Sequence, residues 1–162
     1  MECKEGLVSI VIPCYNQAVY LSETLDSLLK QKYNLWEGIV VDDGSPDNTK
    51  QVALEYVEKD SRFKYVYKPN GGLSSARNKG ISLAVGEFIL PLDADDIIQP
   101  EYLEEAVNAF QKNPDTKLVY CLGQFFGERT GLWNFVAAHF SMINQVEGDT
   151  YTDEPLAFLL ED

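Results

Sequence analysis

The stretch FILPLDADDIIQP, residues 88 to 100, runs apolar residues and a proline straight into three carboxylates, Asp93, Asp95 and Asp96. An apolar run of this length bounded by turn residues reads as a buried strand. Charged side chains gathered at the end of such a strand are expensive without a partner. The stretch therefore predicts a sheet whose strand ends meet something positive that the sequence itself does not supply.

Composition limits what that partner can be. At 162 residues, one domain is the default. A hydrophobic fraction of 45% with 24% charged residues suits a soluble chain with a sizeable core. The 13 basic against 26 acidic side chains leave a net charge of -13, which argues against sequence-independent binding to nucleic acid or to an anionic membrane surface. A cation is the more natural guest. Cys3, Cys14 and Cys121 are odd in number, far apart and without C-x-x-C spacing, so neither a disulfide framework nor a zinc site is indicated. That usage fits a reducing cytosol, and the expected location is cytoplasmic. No apolar run approaches the roughly 18 residues of a membrane span, and the start MECKEGLVSIV has an acidic n-region unlike a signal peptide.

Outward from the acidic stretch, apolar runs alternate with segments of helical periodicity, a βα rhythm that predicts an α/β domain with a mostly parallel sheet. Strands are expected at LVSIVIP (7–13), EGIVVDD (37–43), FKYVYK (63–68) and GEFILPL (86–92). Helices are expected at about 18–32, with Leu21, Leu25, Leu28 and Leu29 on one face, at about 48–59 with Asp47 or Asn48 as cap, and at about 74–84. PEYLEEAVNAF predicts a further helix with Pro100 at its first position and Glu101, Glu104 and Glu105 near its N-terminus. KLVYCLGQFF (117–126) predicts one more strand, the first arm of a hairpin turning at GERTG, and beyond Trp133 the periodicity is weak. In such sheets ligands sit outside the carboxyl ends of the strands. Those ends carry PCYN, DDGS, PNGG and DADD.

Several of these residues have ordinary structural explanations. Asp42, Asp43 and Gly44 could form a simple turn, as could Gly71 and Gly72, and Tyr15 could be core packing. Neither G-x-G-x-x-G nor G-x-x-x-x-G-K-[ST] occurs, so the two standard phosphate loops are absent. His139, the one histidine, has no nearby cysteine and is not assigned a site role. Asp93 and Asp95 resist such explanations, because a two-residue strand period sets them on one side of the chain with Ala94 between. Carboxylates about 4 Å apart repel by roughly 4 kcal/mol at an effective dielectric of about 20. A divalent cation reverses the sign, and hard cations such as Mg2+ are commonly held by one or two carboxylates with substrate phosphates completing the shell. Asp96 is expected to bond loop backbone.

Taken together, VSIVIPCYN, VVDDGSPDNT, NGGLSSARNKGI, GEFILPLDADD and PEYLEEAV, in this order and spacing, resemble the family 2 inverting glycosyltransferases of the GT-A fold. The likeness covers about residues 7–125, and its specificity lies in five linked motifs. It implies a three-layer α/β nucleotide-sugar-binding fold, a donor that is usually a UDP-sugar, Mn2+ or Mg2+ as cofactor, and a saccharide or lipid-linked acceptor glycosylated with inversion. Carried over position by position, Pro13, Tyr15 and Asn16 match the nucleotide-contacting motif, with the Tyr15 ring against the base. Asp43 matches the acid that hydrogen-bonds uracil, and Asn70 and Arg77 match donor-contacting positions. Asp93 matches the acid on the donor sugar or ribose, and Asp95 the direct metal ligand.

The same resemblance makes GDTYTDEPLAFLLED the counterpart of the family's closing acidic pair, which puts the general base at Asp162, the last residue. The whole of 1–162 is taken as one domain, with a donor-binding part over about 7–125 and a short acceptor-side segment over about 126–162. With nothing following Asp162 to brace it, the expectation is donor binding with poor transfer. Two other classes share parts of this pattern. One is a donor-binding module without catalysis, either degenerate or truncated. The other is a phosphoacceptor receiver-type domain, also α/β with an acidic Mg2+ pocket, but its sheet-end lysine and first-strand acid pair have no counterparts after LVSIVIP.

Overall fold

The computed structural model describes residues 3–121, 124–125, 131–132 and 141–144. In chain order the elements are β1 (Lys4–Cys14), α1 (Ala18–Leu29), β2 (Trp36–Asp42), α2 (Thr49–Lys59), β3 (Phe63–Tyr67), α3 (Leu73–Ile81), β4 (Gly86–Pro91), α4 (Tyr102–Lys112), β5 (Leu118–Tyr120), β6 (Gln124–Phe125), β7 (Gly131–Leu132) and β8 (Ser141–Asn144). Six strands form the main sheet in the order β3-β2-β1-β4-β8-β5. The first four of these run parallel, and β8 is antiparallel to both β4 and β5.

The apolar residues of β1 explain the layers. Val8, Ile10, Ile12 and Cys14 pack on one face with Leu21, Leu25 and Leu28 of α1, Ala53 of α2, and Leu103, Val107 and Phe110 of α4. Val11 faces the other way, into a smaller cluster with Ile39, Val41, Ile89 and Ala76 of α3. Helices thus cover both faces, and the central strands read as near-continuous apolar runs because they have no wet side. The α3 face is closed tightly: a Cβ on Gly80 would lie 2.2 Å from Val11 Cγ1.

Because the four strands are parallel and in register, their carboxyl ends share one edge, with Cys14 beside Asp42 and Asp42 beside Tyr67. The chain moves outward from β1 through β2 to β3, then crosses back to place β4 on β1's other side. The loops after β1 and β4 therefore flank a topological switch point, where an open α/β sheet leaves a crevice.

Three expectations change. KLVYCLGQFF is not one strand: β5 joins the main sheet, whereas β6 pairs antiparallel with β7 in a separate ribbon, and the residues between β6 and β7 lie outside the described set. The weakly patterned region beyond Trp133 supplies β8, so four residues of the expected acceptor-side segment, Ser141–Asn144, form a strand of the main sheet. Pairing with β4 and β5 fixes that strand, a long-range cause that local periodicity does not carry. Pro100 lies before α4, which starts at Tyr102 with Glu104 and Glu105 in its first turn. No helix among the described residues is long and apolar enough to cross a membrane.

The Gly80 contact yields a direct test of the α3 packing. Gly80→Ala should destabilise the fold by about 1–3 kcal/mol through overpacking against Val11, read as a lower midpoint in chemical denaturation.

Candidate functional site

The site is assembled from four loops on the carboxyl edge, and each is held by acids of the chain itself. After β1, Tyr15 is 51% exposed, whereas Pro13 is buried within the strand. Asn16 follows with φ 57°, a left-handed conformation that asparagine tolerates better than most residues. Its N–H donates to Ser45 Oγ at 3.2 Å, tying this turn to the loop after β2. Asp47 then secures two helices at once. Its Oδ1 accepts the Thr49 N–H at 3.0 Å at the start of α2, and its Oδ2 accepts the Ala18 N–H at 2.9 Å at the start of α1. Of the two residues offered as caps by the sequence, Asp47 does the work, and Asn48 makes no side-chain capping bond.

Asp42 and Asp43 are both 3% exposed and both fully used. Asp42 accepts the Ser45 N–H at 2.8 Å and the Tyr65 hydroxyl at 2.7 Å. Burial and that bond together push the Tyr65 phenol up. Asp43 receives the Lys68 ammonium, the Gly71 N–H at 3.0 and 3.2 Å, and the Gly72 N–H at 2.8 Å. Burial pushes the Asp43 carboxyl up, but these donors outweigh it and hold the group below the usual carboxylate range. The resemblance matches Asp43 to the acid that hydrogen-bonds uracil. What stands here is an acid that anchors the 70–72 loop, and Lys68, which the sequence reading passed over, is its counter-ion. Gly72, with φ 84°, lets the chain turn into α3, and Gly44, with φ 73°, lies so near Asn70 that a Cβ would meet its backbone nitrogen at 2.8 Å. Asn70 itself is exposed on the rim.

The acidic stretch after β4 is a turn and not a continuation of the strand. The Asp96 N–H donates to the Asp93 carbonyl at 3.0 Å, so the strand-period argument for Asp93 and Asp95 does not apply. Their shared outward disposition has another cause: Ala94 between them is 0% exposed and packed in the core, while Asp93 is half-buried and Asp95 exposed. Arg77, from α3, donates through Nη2 to Asp93 Oδ1 at 2.6 Å, and its Nε is buried without a partner. Asp95 makes no hydrogen bond or ion pair among the described residues. Asp162 and His139 lie outside the described residues.

A sequence model of the family described as "Glycosyl transferase family 2" matches residues 9–160. The chain belongs to that family. An uncharacterized glycosyltransferase of Rickettsia typhi is 42% identical over 132 residues, which are 80% of this chain and 40% of that one. Among solved structures, S. aureus TarS in complex with UDP-GlcNAc superposes with a TM-score of 0.71 at 32% identity, covering 77% of this chain and 36% of that chain. A mannosyltransferase of Pyrobaculum calidifontis in complex with GDP-Man and Mn2+ shares the fold at TM-score 0.70 and 23% identity, covering 85% of this chain and 44% of that chain. The α/β architecture is thus that of GT-A glycosyltransferases. This chain spans 31% to 40% of the length of its first four curated relatives.

Could a divalent cation fit here? Among the described residues no group of three or more acidic, histidine or cysteine side chains could hold one unaided. Asp95 nevertheless offers an unengaged hard oxygen donor, and Mg2+-type ions are commonly bound by one or two carboxylates plus substrate phosphates. The residues fit an ion that arrives with a diphosphate, not a closed cage.

The Asp43–Lys68 pair makes a stability prediction. Lys68→Met should cost about 1–3 kcal/mol at neutral pH by leaving a buried carboxylate short of a donor. Because the folded pKa of Asp43 is depressed, its contribution is full above the unfolded value of about 4 and is lost as pH falls through the lower folded value. Denaturation midpoints measured from pH 6 down to about pH 2 should therefore fall less steeply for Asp43→Asn than for the wild type.

Proposed function

We propose that this chain binds a nucleotide-sugar donor, with UDP as the nucleotide, at the carboxyl edge of its sheet, and serves inverting transfer of the sugar to a saccharide or lipid-linked acceptor. The observation that carries the reading is the division of labour among the rim acids. Asp42, Asp43, Asp47 and Asp93 are each engaged by the protein, whereas Asp95, in the loop after β4, has no partner among the described residues, and Tyr15, in the loop after β1, is exposed. Membership of glycosyl transferase family 2, and the likeness to TarS, whose solved complex contains UDP-GlcNAc, support the choice of ligand.

In this reading each residue has a role that its environment suits. Tyr15 lays its ring against the base, as an exposed aromatic at the end of a rigid strand can do at small entropic cost. Asn16 and Asn70 line the nucleotide side, and Pro13 braces that motif from within β1. Asp43 contributes by holding the Gly71 and Gly72 amides in place, and uracil N3–H would reach it only if one of its present donors gave way. Arg77 orients Asp93 toward the donor's sugar or ribose and sets a fixed positive charge beside the diphosphate. Asp95, with the donor diphosphate, would hold Mn2+ or Mg2+, which when bound supplies charge stabilisation to the leaving diphosphate. The acceptor hydroxyl's proton is assigned to a carboxylate of the closing GDTYTDEPLAFLLED segment, with Asp162 the candidate base. A base must come within about 2.6–3.2 Å of the atom it deprotonates, directly or through one water.

Calorimetric titration with UDP, with and without Mn2+, tests the assignment. Wild type should bind more tightly with the ion, and Asp95→Asn should lose most of that gain while keeping its metal-free affinity. Tyr15→Ala should weaken UDP about 5- to 150-fold, the range expected for removal of one base-stacking ring. Unchanged affinity and unchanged metal requirement in Asp95→Asn would remove Asp95 as the ligand. Equal binding of UDP by Tyr15→Ala would take the base away from β1's end.

A further inference from the structure

The acidic turn is fastened from beneath by polar side chains that a core helix would not ordinarily carry. Thr24 and Ser27 lie on the buried face of α1, and Gln31 lies just past its end; they are 0%, 3% and 6% exposed. The Thr24 hydroxyl donates to the Ala94 carbonyl at 2.8 Å. Ser27 Oγ accepts the Ile98 N–H at 3.4 Å and donates to the Thr24 carbonyl at 2.6 Å. Gln31 Nε2 donates to the Gln99 carbonyl at 2.7 Å and to Ile98 O at 3.4 Å, while its Oε1 accepts the Leu103 N–H at 3.1 Å.

We propose that Thr24, Ser27 and Gln31 form a polar ladder of positioning residues that fixes the backbone of residues 94–99, and thereby the placement of the Asp93 and Asp95 carboxylates for ligand binding. The part concerning ligand binding rests on the donor-site reading above. Three observations carry it. The ladder bonds backbone groups of Ala94, Ile98 and Gln99 in the loop that carries the acids, and among the described residues the Gln99 carbonyl is shared with the Tyr102 N–H at the start of α4. Thr24 and Ser27 sit three residues apart on the buried face of α1 and Gln31 lies just past its last residue, so one helix and the turn that ends it hold the loop. Ala94 and Ile98 are also packed in the core between α1 and α4, which leaves the acids as the outward residues of a clamped segment. Apolar side chains would fill the same stripe at less desolvation cost, and the need to satisfy loop backbone is what calls for hydroxyl and amide groups there. Supporting contacts of this kind around an ion's ligands are typically worth about 10–100-fold in its affinity.

The decisive comparison is Thr24→Val against Thr24→Ser in the 162-residue chain. Valine keeps the shape and loses the donor, whereas serine keeps the donor and loses a methyl group. In amide hydrogen exchange, peptides covering 92–101 should exchange about 10-fold faster or more in Thr24→Val, with β1 and β2 peptides unchanged, and stay within about threefold of wild type in Thr24→Ser. In calorimetry, Mn2+ affinity in the presence of UDP should weaken by about 10-fold or more in Thr24→Val alone, with metal-free UDP affinity unchanged. Gln31→Met is read in the same way if Thr24→Val does not fold. An unaltered 92–101 segment in the variants lacking the donor, or a serine variant as impaired as valine, overturns the proposal. Retention of wild-type Mn2+ affinity by a chain whose 92–101 exchange has risen also overturns it. If wild type shows no metal-linked UDP binding, the donor-site reading falls by itself, and the exchange comparison still decides whether the ladder holds the turn.

Discussion

Burial of β1 on both faces is the constraint from which the rest follows. A strand with no wet side must be flanked by strands and covered by helices on each face, and here β2 and β4 flank it while α1 and α3 cover it. Parallel neighbours require crossover connections, and those connections bring every loop that follows a strand to the same edge. The functional rim is therefore a consequence of core packing: four loops are delivered to one place before any of their side chains contributes a contact.

Delivery to one place does not by itself fix the loops, and the fixing is done with acids, Asp42 and Asp43 buried and Asp47 half-buried. Asp47 joins the starts of α1 and α2, Asp42 closes the turn to Ser45, and Asp43 gathers Lys68, Gly71 and Gly72. A carboxylate has several acceptor positions and can bind amides from two segments at once, which a neutral side chain of that size does less strongly. The arrangement uses negative charge as internal fastening, and this accounts for part of a composition in which acids outnumber bases two to one. The acid left over, Asp95, is then conspicuous by its environment and not by its position in a motif. Proximity to Arg77 and Asp93 gives the same turn both signs of charge, a setting able to meet a diphosphate and a cation together.

The sequence by itself determined the alternation of strands and helices through residue 112, the α/β class, the strand-end location of the polar motifs, and the family likeness of those motifs. These are legible because hydrophobic period and turn residues act over a few positions. The role of Thr24, Ser27 and Gln31 depends on a loop about 70 residues away, a separation that no local pattern reports. The same holds for Lys68, whose partner is set by the pairing of β2 with β3. Only the tertiary structure decided that Asp43 is an anchor, that Asp93 and Asp95 stand on a turn, and that β8 enters the sheet between β4 and β5. The physical reason is common to all three: each depends on which backbone groups from distant segments must be satisfied at one point, and that is settled by packing and not by the residues on either side.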